Sequence, residues 1–424
     1  MRQLFAAEPP RRDQDPAPLR GRKVLVCGGG IAGPTTAWWL ARAGAEVVLL
    51  EAAPRPRSGG YMIDFWGPGL EVARRMGLRE TLETRGYHIE SLKLVDRDGR
   101  PLASLGPEAV GAAMPGDLVS LLRGDLAATL MASLDAEVEV LFGERAAELG
   151  QDEAGVAVRF EGGGTRRFDY VVGADGLHSR TRAMLFNQEA TAIRPLGYFT
   201  AAFAIEDYPQ RDPGAYVSRT TPRRQIARYA LRDGRTAIFL IFAADLAGDA
   251  PHTTPEQQKA LLHEVFAGVG WEAEAILAGL DAAEDLYFDT VDQVRLAHWW
   301  KGRVALVGDA AYCPSLLAGE GASMAMAGAY VLAGELAAAP DRPHAAFNAY
   351  QKRLQSFLER KQDGARRLGG WFAPKTRLGL LFRDQMTRLA SVPGLTKPLA
   401  GALLPEPMTL PDYEFMQPYR DAAR

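Results

Sequence analysis

The chain has 424 residues, of which 47% are hydrophobic and 24% charged, an ordinary globular composition at a length that predicts two closely joined domains. Its formal net charge of −3 at pH 7 argues against a nucleic-acid partner, because such proteins usually carry a basic surface. The sequence has no long apolar run and only two cysteines, Cys27 and Cys313, so it predicts a cytoplasmic protein that neither spans a membrane nor holds a metal.

The chain begins with a segment, residues 1–21, that is rich in proline and charged residues. It lacks the hydrophobic core that a secretory signal needs, so we expect a disordered leader here. Ordered structure is expected to begin near residue 22.

A glycine-rich turn follows the first predicted strand. The apolar residues 24–26 lead into Gly28, Gly30 and Gly33, spaced G-x-G-x-x-G, and then into a segment with helical character. The first glycine permits the tight turn, the second lets the backbone approach a pyrophosphate, and the third lets helix and strand pack closely. This pattern predicts a dinucleotide-binding fold.

The next predicted strand, residues 46–50, ends at Glu51, about twenty residues after the turn. A carboxylate at this position would accept hydrogen bonds from the ribose hydroxyls of the dinucleotide. Because NAD and FAD both carry such a ribose, this segment alone leaves the choice between them open.

Short elements follow in the next part of the chain. The patterns predict a hairpin at 91–105, an amphipathic helix at 120–134 with Arg123 at its start, and strands at 137–142 and 156–160. These segments continue the alternation of strands and helices.

The pattern changes at residues 196–243, which are rich in alternating and aromatic strand segments. We interpret this block as a separate sheet domain inserted into the nucleotide-binding fold. Residues 255–280 are predicted to be helical, the glycine-rich pattern returns at 302–336, and helices are expected from 344 to about 404.

Two further segments distinguish FAD from NAD. A predicted strand leads into Asp175 and Gly176, and another delivers Gly308 and Asp309. An aspartate at the end of a strand can accept hydrogen bonds from hydroxyls, which the ribityl chain of a flavin supplies. The helix entered at Gly321 offers amides that would stabilise negative charge at the N1 and C2 carbonyl edge of reduced flavin.

The sequence thus contains three motifs in order: the glycine turn with Glu51, the segment with Asp175 and Gly176, and the segment with Gly308 and Asp309. They resemble those of the group A flavoprotein monooxygenases, the para-hydroxybenzoate hydroxylase family, over about residues 22–370. The resemblance implies an α/β fold, with a Rossmann-like FAD-binding domain, an inserted, mostly antiparallel β-sheet substrate domain and C-terminal helices. The implied boundaries are 22–90, 106–182 and 285–370 for the FAD-binding domain, 91–105 and 183–284 for the sheet domain, and 371–424 for the C-terminal helical region and tail.

The resemblance also implies roles for individual residues. It places Glu51 on the adenosine ribose, Arg123 near the phosphates or ribityl chain, Asp309 on the ribityl or pyrophosphate region, and Asp175 near both FAD and the nicotinamide cofactor. The residues predicted to contact FAD are Gly28, Gly30, Ile31, Ala32, Gly33, Glu51, Ala52, Arg55, Gly59, Gly60, Arg123, Asp175, Gly176, Gly308, Asp309, Pro314, Gly319, Gly321, Ala322 and Ser323.

Some positions admit a structural reading or depart from the family pattern. Arg123 also fits an exposed helix-start arginine, Ser179 and Arg182 also fit capping and pairing after the second motif, and His178 is interpreted as structural. Ser323 stands where many relatives carry asparagine, so a hydroxyl replaces an amide at the flavin edge.

The predicted substrate residues are Asp64, Phe203, Arg228 and Phe239. The segment around Asp64 is similar to the region of tetracycline-inactivating monooxygenases that lies beside the isoalloxazine, although a turn-stabilising carboxylate is an equal reading. The others belong to the inserted sheet, where alternate residues share a face, but the sequence leaves open which set faces the flavin.

The resemblance implies an FAD-dependent monooxygenase that uses NAD(P)H and O2 and inserts one oxygen atom, through a flavin C4a-hydroperoxide, into an aromatic or polycyclic molecule, most simply by hydroxylation. The sequence leaves open the identity of the substrate and the choice among hydroxylation, epoxidation and Baeyer-Villiger insertion. It also leaves open the general base, the choice between NADH and NADPH, and the choice between monomer and homodimer. Two alternatives are a flavin dehydrogenase or reductase without oxygen insertion and an FAD-retaining drug-binding protein.

Overall fold

A computed structural model describes residues 17–55, 61–107, 117–186, 192–248, 252–390 and 408–413, without the side chains of 366–369. Gly59 and Gly60, two of the predicted FAD contacts, lie outside the described residues. Residues 17–21, the end of the predicted leader, belong to the fold instead, because Leu19 is fully buried and its amide donates a hydrogen bond to the carbonyl of Ala43.

The described strands, in chain order, are β1 (Lys23–Cys27), β2 (Glu46–Glu51), β3 (Met62–Trp66), β4 (Ser91–Val95), β5 (Pro101–Leu105), β6 (Leu118–Leu122), β7 (Glu139–Phe142), β8 (Ala146–Asp152), β9 (Gly155–Phe160), β10 (Thr165–Phe168), β11 (Tyr170–Gly173), β12 (Ile193–Ile205), β13 (Ala215–Thr221), β14 (Arg224–Ala230), β15 (Thr236–Ala243), β16 (Tyr287–Val294), β17 (Trp300–Lys301) and β18 (Val304–Leu306). The described α-helices are α1 (Ala32–Arg42), α2 (Pro68–Arg75), α3 (Arg79–Arg85), α4 (Arg123–Ala132), α5 (Arg180–Phe186), α6 (Pro255–Phe266), α7 (Ala273–Ala282), α8 (Asp309–Tyr312), α9 (Gly321–Ala338), α10 (Pro343–Phe372) and α11 (Arg377–Ala390).

A six-stranded sheet, in the order β17-β18-β11-β1-β2-β7, forms the centre of the first domain. Its inner strands are parallel and their residues are buried, as expected for a sheet covered on both faces. Because parallel strands end at one edge, the segments after β1, β2, β11 and β18 meet there. The structure thereby brings the three predicted motifs together and confirms the α/β fold class.

The inserted domain is a seven-stranded sheet in the order β16-β12-β15-β14-β13-β4-β5, antiparallel apart from the β13–β4 pair. The hairpin predicted at 91–105 corresponds to β4 and β5. Residues 287–294 also belong to this sheet, because β16 pairs with β12. The return to the first domain, expected at residue 285, therefore comes after Val294.

Two predicted helices differ from the structure. The helix predicted at 120–134 begins only at Arg123, because residues 118–122 form β6 and pair with β3. The helix predicted at 255–280 is divided into α6 and α7, and the loop between them contains Gly268 and Gly270 with φ of +69° and +80°. Among the described helices, none is long and apolar enough to cross a membrane.

The two faces of the seven-stranded sheet have different partners. One face packs on α6 and α7 in a cluster that includes Phe203, Phe242, Leu262 and Phe266. We call the opposite face, which carries Phe239 and Tyr229, the site face, because it turns toward the first domain.

Phe203→Ala should lower the free energy of unfolding by about 3–5 kcal/mol, because it leaves a cavity between the sheet and its two helices. Chemical denaturation followed by circular dichroism measures the change. Phe239→Ala, on the site face, is the matched control and should cost clearly less. Equal losses for the two variants would contradict the assignment of faces.

Candidate functional site

Two glycines of the first turn are required by close backbone packing. A Cβ added at Gly28, where φ is +113°, would lie 2.4 Å from the carbonyl oxygen of Ala174, and one at Gly33 would lie 1.7 Å from that of Gly28. Gly30 differs, since the nearest atom to an added Cβ is Arg123 Nη2 at 3.9 Å. The open space beside Gly30 is what the approach of a pyrophosphate requires.

Glu51 is held at the end of β2 by two backbone amides. Its Oε2 accepts a hydrogen bond from the amide of Gly29 at 2.7 Å, and its Oε1 accepts one from the amide of Ala53 at 2.7 Å. Each carboxylate oxygen keeps a lone pair free for a ribose hydroxyl. Ala52 lies beside this carboxylate, whereas Arg55 is exposed.

The guanidinium of Arg123 is a cation without a hydrogen-bond partner among the residues that the structure describes. The backbone amide of Arg123 donates to the carbonyl of Tyr61 at 3.0 Å, but the guanidinium hydrogen-bonds to none of the described residues. Burial opposes its charge, while Tyr61, Asp309 and Tyr287 favour it, so the pKa of Arg123 is raised. A charged, unpaired guanidinium beside Gly30 suits an anionic group such as a phosphate.

Asp309 lies at the start of α8, after Gly308 with φ of +65°. An added Cβ at Gly321 would lie 3.9 Å from its Oδ1, so this carboxylate borders the first turn of α9. Burial raises the pKa of Asp309 and Arg123 opposes that rise. Asp309, Arg123 and the start of α9 therefore face one another across the strand ends.

The carboxylate of Asp175 accepts its hydrogen bonds from residues of its own loop and the helix that follows. It accepts hydrogen bonds from the hydroxyl of Ser179 and from both the amide and hydroxyl of Thr181, the latter two at 2.9 Å. Arg182 is buried and donates to the carbonyls of Leu177 and Ala310. The geometry gives Ser179 and Arg182 the structural roles that the sequence left open. His178 is exposed, and its Nε2 lies 3.1 Å from Oδ1 of Asp289.

The side chain of Ser323 is turned away from the strand ends. Its hydroxyl donates to the carbonyl of Trp66 at 2.7 Å and accepts from the amide of Gly69 at 2.7 Å. The expectation that this hydroxyl replaces an asparagine amide at the flavin edge is therefore wrong for the side chain. The backbone of Gly321, Ala322 and Ser323 still forms the first turn of α9.

The structure removes two residues from the predicted substrate set. Phe203 packs among the residues of α6 and α7. Arg228 is 3% exposed and is paired with Glu272 and Asp212 on the same side of the sheet as Phe203. Both were expected at the substrate, but the side-chain alternation of the sheet directs them to the opposite face.

Phe239 remains in place and has aromatic neighbours that the sequence did not single out. The ring centroid of Tyr61 lies 6.4 Å from that of Phe239 and 5.3 Å from that of Tyr287. Burial raises the pKa of Tyr61 to about 12, so its hydroxyl is protonated at neutral pH. Only the strand register shows that Tyr287 shares a face with Phe239. Both residues lie opposite Ala202, Phe239 on β15 and Tyr287 on β16.

Asp64 forms the polar end of the same region. It lies opposite Ser120 in the β3–β6 pair, and the serine hydroxyl donates to its Oδ1 at 2.5 Å. Burial raises the pKa of Asp64. Burial, together with the nearby carboxylate of Asp64, also raises the pKa of Tyr216 on the site face. Met62 and Leu122 pack beside Tyr216 and Tyr229, so the two sheets enclose this region.

The described residues contain no group of three histidine, cysteine, aspartate or glutamate side chains that could hold a metal ion. The side chains of Arg123, Asp309 and Glu51 lie with the glycine turn at the strand ends, an arrangement that fits a dinucleotide. An open glycine cradle beside an unpaired guanidinium fits FAD.

The chain belongs to the FAD binding domain family, whose sequence profile matches residues 22–363. Several of its homologues are named flavin-dependent monooxygenase, in agreement with the resemblance. One relative, from an unknown prokaryotic organism, is 35% identical over 342 residues, covering 80% of this chain and 88% of the relative. Another, from Legionella longbeachae, is 33% identical over 402 residues, covering 92% and 98%. Both are named flavin-dependent monooxygenase.

The solved structure of tetracycline destructase Tet(55) is similar over 92% of this chain and 99% of that chain, with 30% identity and a TM-score of 0.78. These comparisons confirm the predicted family and fold. The protein is an FAD-binding enzyme of the flavin-dependent monooxygenase class.

Gly30→Ala should weaken FAD binding at least about tenfold, equivalent to about 1.4 kcal/mol, because the methyl group enters the space left for the pyrophosphate. The apoprotein should keep its thermal midpoint, since no described backbone atom lies near the new Cβ. Flavin fluorescence titration measures the affinity. Gly33→Ala is the contrasting variant and should destabilise the apoprotein itself. Wild-type FAD affinity in Gly30→Ala would show that the pyrophosphate lies elsewhere.

Proposed function

We propose that this protein is an NAD(P)H-driven monooxygenase that inserts one oxygen atom from O2 into an aromatic or polycyclic small molecule, most simply by hydroxylation. The observation that carries the proposal is the aromatic cluster of Tyr61, Phe239 and Tyr287, which lies beside Arg123 and Asp309. It places a surface suited to flat apolar molecules next to the residues that fit FAD.

In this proposal, bound FAD supplies the transfer of electrons from NAD(P)H and the activation of O2. The protein binds and orients the substrate and excludes water. Glu51 would hold the adenosine ribose, Gly30 and Arg123 would hold the phosphates, and Asp309 would accept hydrogen bonds from the ribityl hydroxyls. The backbone of the segment from Gly319 to Ser323, together with Pro314, would hold the flavin ring.

The substrate lies between the site face and the β3–β6 pair. Phe239 and Met62 supply apolar area, and Asp64 and Tyr216 supply polar groups. Burial raises the pKa of both polar groups, and each can form hydrogen bonds with polar groups of a substrate. The likeness to a tetracycline destructase supports a polycyclic substrate with several oxygen substituents.

The location proposed for the protein is the cytoplasm. Cys27 and Cys313 are buried and unpaired, which suits a reducing compartment. The required partners are then a small aromatic molecule, O2 and a nicotinamide cofactor.

The proposal predicts that NAD(P)H oxidation accelerates when a substrate is added and that the product gains one oxygen atom. Incubating the FAD-loaded protein with aromatic and polycyclic metabolites under 18O2 and measuring product mass tests both. A product without added oxygen, formed with NAD(P)H consumption, would identify a dehydrogenase or reductase. Substrate binding without stimulated NAD(P)H oxidation would identify a binding protein.

Tyr216→Phe should raise the KM of an accepted substrate about three- to tenfold, because it removes one buried hydrogen-bonding group worth about 0.5–1.5 kcal/mol. FAD affinity should stay unchanged, since Tyr216 lies at the Asp64 end rather than beside Arg123. Steady-state kinetics and flavin titration separate these effects. Tyr198→Phe, on the same sheet but packed at Ala373, is the control. An unchanged KM in Tyr216→Phe would place the substrate elsewhere.

A further inference from the structure

The helix that enters at Gly321 begins beside a buried acid that does not cap it. Glu320 occupies the N-cap position of α9, yet its side chain makes no cap hydrogen bond. Its carboxylate instead binds the ammonium of Lys361 on α10, with Nζ 2.7 Å from Oε1 and 2.6 Å from Oε2. Both side chains are less than a tenth exposed. The first-turn amides of α9 are therefore left without the acid next to them.

The pairing of the Glu320 carboxylate with Lys361 is not the one that the dipole of α9 favours. The start of a helix carries partial positive charge on its free amides, which attracts a nearby carboxylate. Burial raises the pKa of Glu320 and lowers the pKa of Lys361, and the ion pair opposes both shifts. Lys361 thus binds the Glu320 carboxylate, and the first-turn amides of α9 are the neighbouring groups that would stabilise its charge if Lys361 were removed.

Lys361 is itself held in place by aromatic rings. Its ammonium lies 5.5 Å from the ring centroid of Trp66 and 5.2 Å from that of Phe357. The carbonyl of Trp66 accepts a hydrogen bond from the hydroxyl of Ser323. The Cα of Ser323 also leaves no room for a side chain at Gly69. One cluster therefore joins α10, β3 and the first turn of α9.

We propose that Lys361 is a positioning residue for the flavin, because it holds the Glu320 carboxylate away from the first-turn amides of α9 and keeps them available to the negative edge of reduced FAD. Lys361 does not contact the reacting atoms in this role. The inference rests on FAD binding by the family and is independent of the proposed oxygenation.

Lys361→Met frees the carboxylate to accept from these amides and compete with reduced flavin. The dissociation constant of reduced FAD should rise about tenfold more than that of oxidised FAD, which equals a fall of about 30 mV in the midpoint potential of the two-electron couple. Flavin titrations and dye-equilibrated reduction of the bound cofactor measure this difference without any substrate.

The double variant Glu320→Gln with Lys361→Met removes the competing charge together with its partner. Because replacing both members of a buried ion pair is often tolerated, it should fold and restore the midpoint potential of the wild-type protein. A double variant that folds but keeps the lowered potential would overturn the proposal, since the effect would then come from altered packing.

Arg353→Met is the matched control, because Arg353 pairs with Glu335 and so joins the same two helices at the other end of α9. It should leave the midpoint potential unchanged. Equal shifts in Lys361→Met and Arg353→Met, or equal weakening of oxidised and reduced FAD in Lys361→Met, would contradict the positioning role. Inactivity toward every tested substrate would leave these measurements readable and would count only against the proposed oxygenation.

Discussion

The close approach of backbone at the ends of β1 and β11 determines how the rest of the site is assembled. Gly28 and Gly33 have no room for a Cβ, because the carbonyl oxygens of Ala174 and Gly28 occupy that space. This contact sets the start of α1 against the loop after β11 and directs the amide of Gly29 to Glu51. The glycine turn therefore fixes its neighbours as well as offering a place for the pyrophosphate.

The elements that the sequence predicted well are those that local geometry dictates. The glycine spacing, Glu51 at the end of β2 and Asp309 after β18 each follow from a strand that ends in a turn. The placement of Arg123 required more than its helix, because β6 pairs with β3 and brings the start of α4 to Gly30. Ser323 shows the limit, since its hydroxyl bonds with Trp66 and Gly69, about 255 residues earlier in the chain.

The faces of the inserted sheet could not be predicted because both are covered. When one face of a strand meets water, polar and apolar residues alternate and reveal the orientation. In β15, the neighbours Ile238, Phe239 and Leu240 are all hydrophobic, although 238 and 240 pack on helices and 239 faces the site. Long-range pairing, and not composition, decides which of them turns toward the first domain.

Two of the arginines predicted to act at the site, Arg123 and Arg228, differ in whether the protein itself compensates their charge. Arg228 donates to Glu272, Asp212 and the carbonyl of Arg211, so its charge is compensated within the protein. Arg123 has no such partner among the described residues, although it is also largely withdrawn from water. Leaving a cation unpaired in such a place costs stability unless a ligand compensates it. The guanidinium of Arg123 thus fits the proposed contact with an anionic cofactor, whereas that of Arg228 connects the sheet to the loop before α7.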